Sequence, residues 1–542
     1  MTSLFSSLAH NLRGQVLFHL FFCHGRIYEF QLIARVISFA INMYLLRRID
    51  NDVLGLVNVR LTLLYSSILF LTREPLRKAE IIRGSLPKFV NLLWLSPLIS
   101  TVLSVVCVYL WYTFSSTTDN VSWNVLLSFP ISAIIESIAE PFSVISLRQF
   151  RLESTSGSLG QHFAIGQGML ICVKRIFVLA GLFIFPEMYH LDLFAYSQYF
   201  GAIAYLLFNF IAFYFYIRNR SIPELEQFST FSDLLPKTSE GIDRDSVNAV
   251  ATMFSHSILK QLLTDGSAYV MTFTELLSLK HQAVYDAVER VGSIIVRTIL
   301  SPIDENCNAY FSNTIRKESS VFNKNTDNHD DLVKNLSTIL HVVGVIGFVA
   351  CVFGIPYSST AISFYGGKLL SDNGGALLLS LYSGYILVTA INGITEGFAM
   401  ASMDNYQIYS HGKFLFVTSA IHLFINYALC VYMNSAGFIV ANIINMTIRI
   451  IYNWRRIREY LGERAPSFTT VFPTFSTSMF LGASLFATSF SYLIFATTPG
   501  LSHTLSHIAI GGVCLVLLAQ HAVQHDPVFA RIIDSLAKKH RE

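Results

Sequence analysis

Ionisable side chains recur inside long apolar stretches of this 542-residue chain. Each costs about 2.5–3.5 kcal/mol at the centre of a bilayer on insertion scales, so a chain that keeps many of them uses them. Asp286, Arg290, Arg297 and Asp304 follow one another at steps of four, seven and seven, which is one stripe down a helix. Asp286 can pair with Arg290 one turn away, which leaves Arg297 in need of a partner or a ligand. Glu136 and Glu140 also share a face, followed at once by Pro141. Two like charges so close leave proton coupling, an ion site or pairing with Lys174 open. Arg60 and Glu396 stand in two further apolar runs. Arg175, Lys260 and Arg449 are expected to pair between helices or to reach an interface. Together these residues suit a water-accessible polar cavity in which cations meet an anionic group. Arg60, Lys174, Arg290 and Arg297 are the candidate ligands of that group, and Glu136, Glu140, Asp286, Asp304 and Glu396 would line the cavity or couple it to an ion.

Soluble catalytic signatures are missing. There is no Gly-x-x-x-x-Gly-Lys-Ser/Thr phosphate loop, and Gly366-Gly367-Lys368 has neither its spacing nor its hydroxyl. No His-Glu-x-x-His, Gly-x-Ser-x-Gly or nucleic-acid motif occurs, and the 16 histidines are scattered. The seven cysteines form no Cys-x-x-Cys pair and read as small hydrophobes. No cofactor or metal is expected. Asn120-Val121-Ser122 is a glycosylation sequon in a short loop.

What must position such residues is a membrane fold. Charged residues make up 13% of the chain, about half the usual 25% of soluble proteins, and hydrophobic residues make up 53%. The apolar runs reach from end to end, which excludes a soluble domain on a single anchor. A span needs about 20 apolar residues. Fourteen segments meet that length, at 27–46, 53–72, 89–112, 122–146, 160–186, 193–217, 250–278, 283–311, 336–357, 376–401, 414–433, 435–453, 470–496 and 505–523. Lipid leaves no partner for bare backbone groups and no segment alternates like a barrel strand, so these are helices. The expected fold class is an all-α polytopic membrane protein of about fourteen transmembrane helices, in two lobes around a central polar cavity.

Positive charge sets its orientation. Of 38 lysines and arginines, 26 fall in one set of alternate loops and the termini, four in the opposite loops and eight inside spans. Both termini are therefore expected on the cytoplasmic side. The polar stretch 218–249 separates an N-terminal lobe, 1–217, from a C-terminal lobe, 250–523, and suggests two parallel repeats. A second polar connection is expected at 312–335. The tail, 524–542, places Phe529, Ile532, Ile533 and Leu536 on one face with basic residues beyond, the pattern of an interfacial helix.

One run, VNVRLTLLYSSILFLTREPLRKA at 57–79, is similar to the most recognisable segment of the Rft ("requiring fifty-three") family of eukaryotic endoplasmic reticulum proteins. Further pieces agree: AEPF at 139–142, KQLLTDGSAYVMTF at 260–273, VYDAVERVGSIIVRTILSPIDE at 284–305, YGGKLL at 365–370, AINGITEGFAMASM at 390–403 and GFIVANIINMTIRI at 437–450. The resemblance runs from Arg35 to about 525. In the family pattern a segment like Gln15–Phe18 leads directly into one like Arg35–Leu46, so residues 19–34 read as an insertion.

That family resembles the superfamily of multidrug and oligosaccharide-lipid flippases. The resemblance implies movement of a mannose-rich dolichyl-diphosphate oligosaccharide from the cytosolic to the lumenal leaflet of the endoplasmic reticulum membrane, for protein N-glycosylation. The alternative is a non-transporting accessory or chaperone of the pathway. Neither is an enzyme. A dolichol-pathway glycosyltransferase fits poorly, because such enzymes carry a large lumenal first loop and here that loop is 47–52. The implied partners are the lipid-linked oligosaccharide and the bilayer, with no nucleic acid.

Overall fold

A computed structural model describes residues 26–79, 86–114, 121–152, 158–219, 225, 228, 230–237, 241–242, 244–274, 276–320, 326–496 and 500–531. Every regular element among them is helical. Besides the short helices Asn51–Gly55, Leu86–Leu93 and Lys368–Asp372, the helices are α1 (Arg26–Arg48), α2 (Thr62–Ala79), α3 (Ser96–Phe114), α4 (Trp123–Ile138), α5 (Glu140–Leu152), α6 (Ser158–Ile184), α7 (His190–Arg218), α8 (Arg244–Thr264), α9 (Gly266–Phe273), α10 (Leu279–Ile295), α11 (Ser301–Ser320), α12 (Thr326–Gly366), α13 (Gly375–Ser402), α14 (Asn405–Met433), α15 (Ser435–Leu461), α16 (Phe475–Ser491) and α17 (Leu501–His525). Two wide π-helical turns, Leu56–Leu61 and Val296–Leu300, lead into α2 and α11.

Among the described residues, ten helices are long and apolar enough to cross a membrane, or eleven if the bent pair α4–α5 is one span. The count of fourteen is thus not reached on length and apolarity alone. The expected spans at 250–278 and 283–311 are helical but too polar to pass, since they carry Lys260, Asp265, Asp286, Arg290, Arg297 and Asp304. The expected first span is helix α1, whose opening turns hold residues 26–34 of the supposed insertion; 19–25 lie outside the described residues. Asn120 and 532–542 also lie outside them.

The chain divides into two compact units between Ala283 and Val284. The division therefore does not fall at 218–249, because α8 packs along α2 and stays with the first unit. Nor is 218–249 a free linker. Leu225, Phe228 and Leu234 are buried with Phe142 and Phe213 in one core cluster. Asn91 fixes the segment, accepting the Lys237 N–H and donating to the Lys237 and Gly241 carbonyls, each at 2.8 Å. The connection at 312–335 is likewise mostly helix, being the end of α11 and the start of α12.

In the first unit, α7 packs on α4 and α6, and α2 on α3, α4 and α8. The break between α4 and α5 has an identifiable cause. Pro141 has no N–H to give the Ser137 carbonyl, and the chain bends by 50° at Ala139. The Ser96 hydroxyl donates to that carbonyl instead, at 2.9 Å. In the second unit, α13 is the central helix, packed against α11, α12 and α15. Asp404 and Gln407 form a capping box that starts α14. Asn434, at φ 50°, turns the chain directly from α14 into α15.

The start of the tail is anchored. Asp526 is fully buried, with His341 at 3.0 Å and the Val528 N–H at 3.0 Å on its carboxylate. Burial alone would raise this carboxyl, but these hydrogen bonds hold it below the usual aspartate range. The contact therefore stabilises the fold above about pH 3.9 and loses that contribution as pH falls through the lowered value.

Orientation is testable with two described positions on opposite sides of the expected topology. On a background without native cysteines, Glu187→Cys should label only from the lumenal side and Lys237→Cys only from the cytosolic side of sealed microsomes. Labelling of both from one side would break the topology.

Candidate functional site

The first unit carries a buried cluster of charge, and the second carries ion pairs that are only partly buried. In the first, α4 and α5 present Glu136 and Glu140, both fully buried. Glu136 takes Lys174 of α6 at 2.9 Å and Arg73 of α2 at 3.1 Å. Glu140 takes Arg73 at 2.9 Å and Arg77 at 2.5 Å. The Tyr65 hydroxyl donates to Glu136 and accepts from Lys174. Of the three readings left open for the two carboxylates, the geometry contains the helix pairing with Lys174. The two arginines lie just beyond the expected span 53–72, and helix α2 carries them on past it. Their spacing of four matches that of Glu136 and Glu140, which is a signal the sequence does carry.

Arg60 lies in the first π-helical turn, 2% exposed, and donates to the Gln282 side chain at 3.1 Å. Gln282 is held in turn by the Met271 and Leu277 carbonyls. The approach requires Gly55, where any Cβ would meet the Leu279 carbonyl.

In the second unit, Asp286 and Arg290 pair within α10 at 2.7 Å. Arg297 lies two turns further on, in the second π-helical turn, is exposed, and makes no ion pair among the described residues. Asp304 does not reach it. Its carboxylate lies where a Cβ on Gly393 of α13 would stand, and its Oδ1 is buried with no hydrogen-bond partner. Glu396, three residues on, takes both oxygens to Arg449 of α15 at 2.6 Å and accepts from Asn392 at 2.9 Å. Lys260 likewise pairs with Glu74, at 2.8 Å. His411 lies in no sequence motif; it is 3% exposed, and neither ring nitrogen has a hydrogen-bond partner among the described residues.

Arg60 and Arg297 share a local design. Each sits in a π-helical turn, and a hydroxyl bonds back five residues in both: Thr62 to the Val57 carbonyl at 2.7 Å, and Ser301 to Val296 at 3.1 Å. A wide turn leaves a carbonyl without its usual N–H, and the hydroxyl supplies the donor. Such turns occur frequently at functional sites.

No group of three or more His, Cys, Asp or Glu suited to a metal ion occurs among the described residues. The arrangement can hold charge inside a membrane and meet an anion at Arg297. It is that of a polytopic helical membrane protein with ionisable clusters built into each unit. One solved structure that it resembles is a lipid II flippase, MurJ, in an inward closed conformation: TM-score 0.53, 14% identity, 91% of this chain and 98% of that one. At that identity the likeness defines the fold alone.

Residues 27–535 match the Rft-1 family, described as Rft protein, and the chain belongs to that family. A Caenorhabditis elegans relative is 83% identical over 540 residues, covering 100% of both chains, and is named Man(5)GlcNAc(2)-PP-dolichol translocation protein RFT1. A Xenopus tropicalis protein of the same name is 30% identical over 527 residues, covering 94% of this chain and 96% of its own.

Proposed function

We propose that this protein translocates a mannose-rich dolichyl-diphosphate oligosaccharide across the endoplasmic reticulum membrane, from the cytosolic to the lumenal leaflet. The observation that carries the reading is full-length identity of 83% to a relative named for that translocation. The geometry supports it. A diphosphate needs cations that no protein acid has consumed, and Arg297 is exposed without an ion pair among the described residues. Arg290, although paired with Asp286, lies two turns away on the same helical stretch. Arg60 and Lys174 are the corresponding cations of the first unit, held by Gln282 and Glu136. The task is physical: the head must cross while the polyprenyl tail stays in lipid. No bond is made or broken, so no catalytic group is required. Both termini face the cytosol in this reading.

The test is direct. Pure protein in liposomes should move radiolabelled dolichyl-diphosphate oligosaccharide to a protected leaflet, at a rate that scales with protein per vesicle. In cells, depletion should leave secreted glycoproteins under-occupied and a short mannose-containing dolichol intermediate accumulated. Normal occupancy with unchanged lipid intermediates would remove the reading.

A further inference from the structure

Within the second unit, α10, α12, α13 and α17 line an apolar cavity of about 470 Å³ that is open at its side, where Ile508 and Leu515 are exposed. Val291 and Ile295 line it from α10, Phe353 from α12, Ile386 from α13, and Gly512 and Leu515 from α17. Three glycines let the helices close around it: a Cβ on Gly292 would meet Tyr382, one on Gly354 would meet Ser383, and one on Gly511 would meet Tyr357. Gly512 is different, because a Cβ there meets nothing within 4 Å. Its missing side chain leaves open space.

An apolar space stays dry, and a cavity of about 150 Å³ holds one benzene. The present volume therefore suits about three groups of five or six carbons. What selects among hydrocarbons is the charge alongside. Val291, Gly292 and Ile295 lie between Arg290 and Arg297 in the chain, and Tyr382, packed on Gly292, is within electrostatic reach of Arg297. A ligand that fills the cavity and also satisfies Arg297 must be an anion joined to a short hydrocarbon run.

We propose that this cavity holds the isoprene units nearest the head of a polyprenyl phosphate, with the anion at Arg297. The inference rests on the transport reading for the choice of lipid and adds the place where its tail is gripped. Selection of the tail would let one protein distinguish an isoprenoid carrier from bulk phospholipid, although both present phosphate.

The experiment uses the purified full chain in nanodiscs and a polyprenyl phosphate carrying a diazirine on its second isoprene unit. Photolabelling should fall on peptides of α10, α12, α13 and α17. Gly512→Leu adds a side chain where a Cβ meets nothing within 4 Å, and should lower the labelling at least tenfold. Val516→Leu, on the exposed part of α17 and outside the cavity, should leave it unchanged. Dioleoyl phosphatidic acid should compete at least tenfold less well than unlabelled polyprenyl phosphate. Labelling confined to other peptides, equal labelling of Gly512→Leu and wild type, or equal competition by phosphatidic acid would each overturn the proposal. If Gly512→Leu does not stay monodisperse, the peptide map and the competition on wild type decide alone. Translocation is scored separately: cavity labelling without translocation would sink the transport reading and leave the cavity, and translocation without cavity labelling would do the reverse.

Discussion

Glu136→Gln is expected to destabilise the first unit strongly. The side chain is fully buried and takes Lys174 at 2.9 Å and Arg73 at 3.1 Å. The substitution keeps the volume and removes the charge, which leaves Lys174 with neutral acceptors such as the Tyr65 hydroxyl and no counter-charge. Breaking a buried pair from one side costs about 3–5 kcal/mol, because the surviving charge stays desolvated. A domain's whole net stability is about 5–15 kcal/mol, so the variant should melt early and accumulate poorly. The expectation can be checked with a cycle: Glu136→Gln, Lys174→Met and both together, read by melting temperature and by abundance in detergent extract. The double variant should recover much of the loss, since an apolar replacement of a buried pair is often neutral. Wild-type melting in Glu136→Gln together with lost glycan occupancy would sink the structural role and return these carboxylates to coupling. The same logic reaches Glu140, which holds Arg73 and Arg77.

That cluster shows what the sequence discloses and what it hides. Apolar length discloses the helices, and the charge inside them discloses that something must be paired. Glu136 and Glu140 stand out because nothing local neutralises them. Their partners do not stand out, because Arg73 and Arg77 lie just beyond an apolar run and look like ordinary loop cations. Only the fold brings α2 beside the α4–α5 bend. The Asp286–Arg290 pair was legible, since four residues is one turn of helix. The Asp304 position was not. Seven residues is about 10.5 Å of helix, and the carboxylate turns to Gly393 and Glu396 rather than to Arg297. Hydropathy alone also mislabels segments 218–249 and 312–335. Polar on average, the first still buries Leu225, Phe228 and Leu234, and the second continues two helices. The π-helical turns have no single-sequence signature. They are visible only as Arg60 and Arg297 each followed by a hydroxyl that bonds back five residues.

Arg297→Gln should behave in the opposite way to Glu136→Gln, with normal abundance and a large loss of function. The side chain is exposed and has no ion pair among the described residues, so its removal strands no acid. Surface substitutions of that kind usually stay within about 0.5 kcal/mol of stability. A hydrogen bond to a charged group contributes about 1.5–3 kcal/mol. Losing one to the diphosphate therefore slows translocation about 10- to 100-fold. Arg297→Lys should keep part of the activity, because the point charge survives while the planar two-donor fork does not. The Asp304 variant is the control. If Asp304 were the partner, Asp304→Asn would restore Arg297→Gln. With Asp304 lying against Gly393 instead, the double variant should be no better than Arg297→Gln alone. A second control is Arg449→Gln, which strands Glu396 and should lose abundance until Glu396→Gln is added. Protein level and liposome translocation are measured separately for all five variants. Recovery of both in Arg297→Gln with Asp304→Asn would assign Arg297 to packing. Full translocation by Arg297→Gln alone would remove the diphosphate from this position.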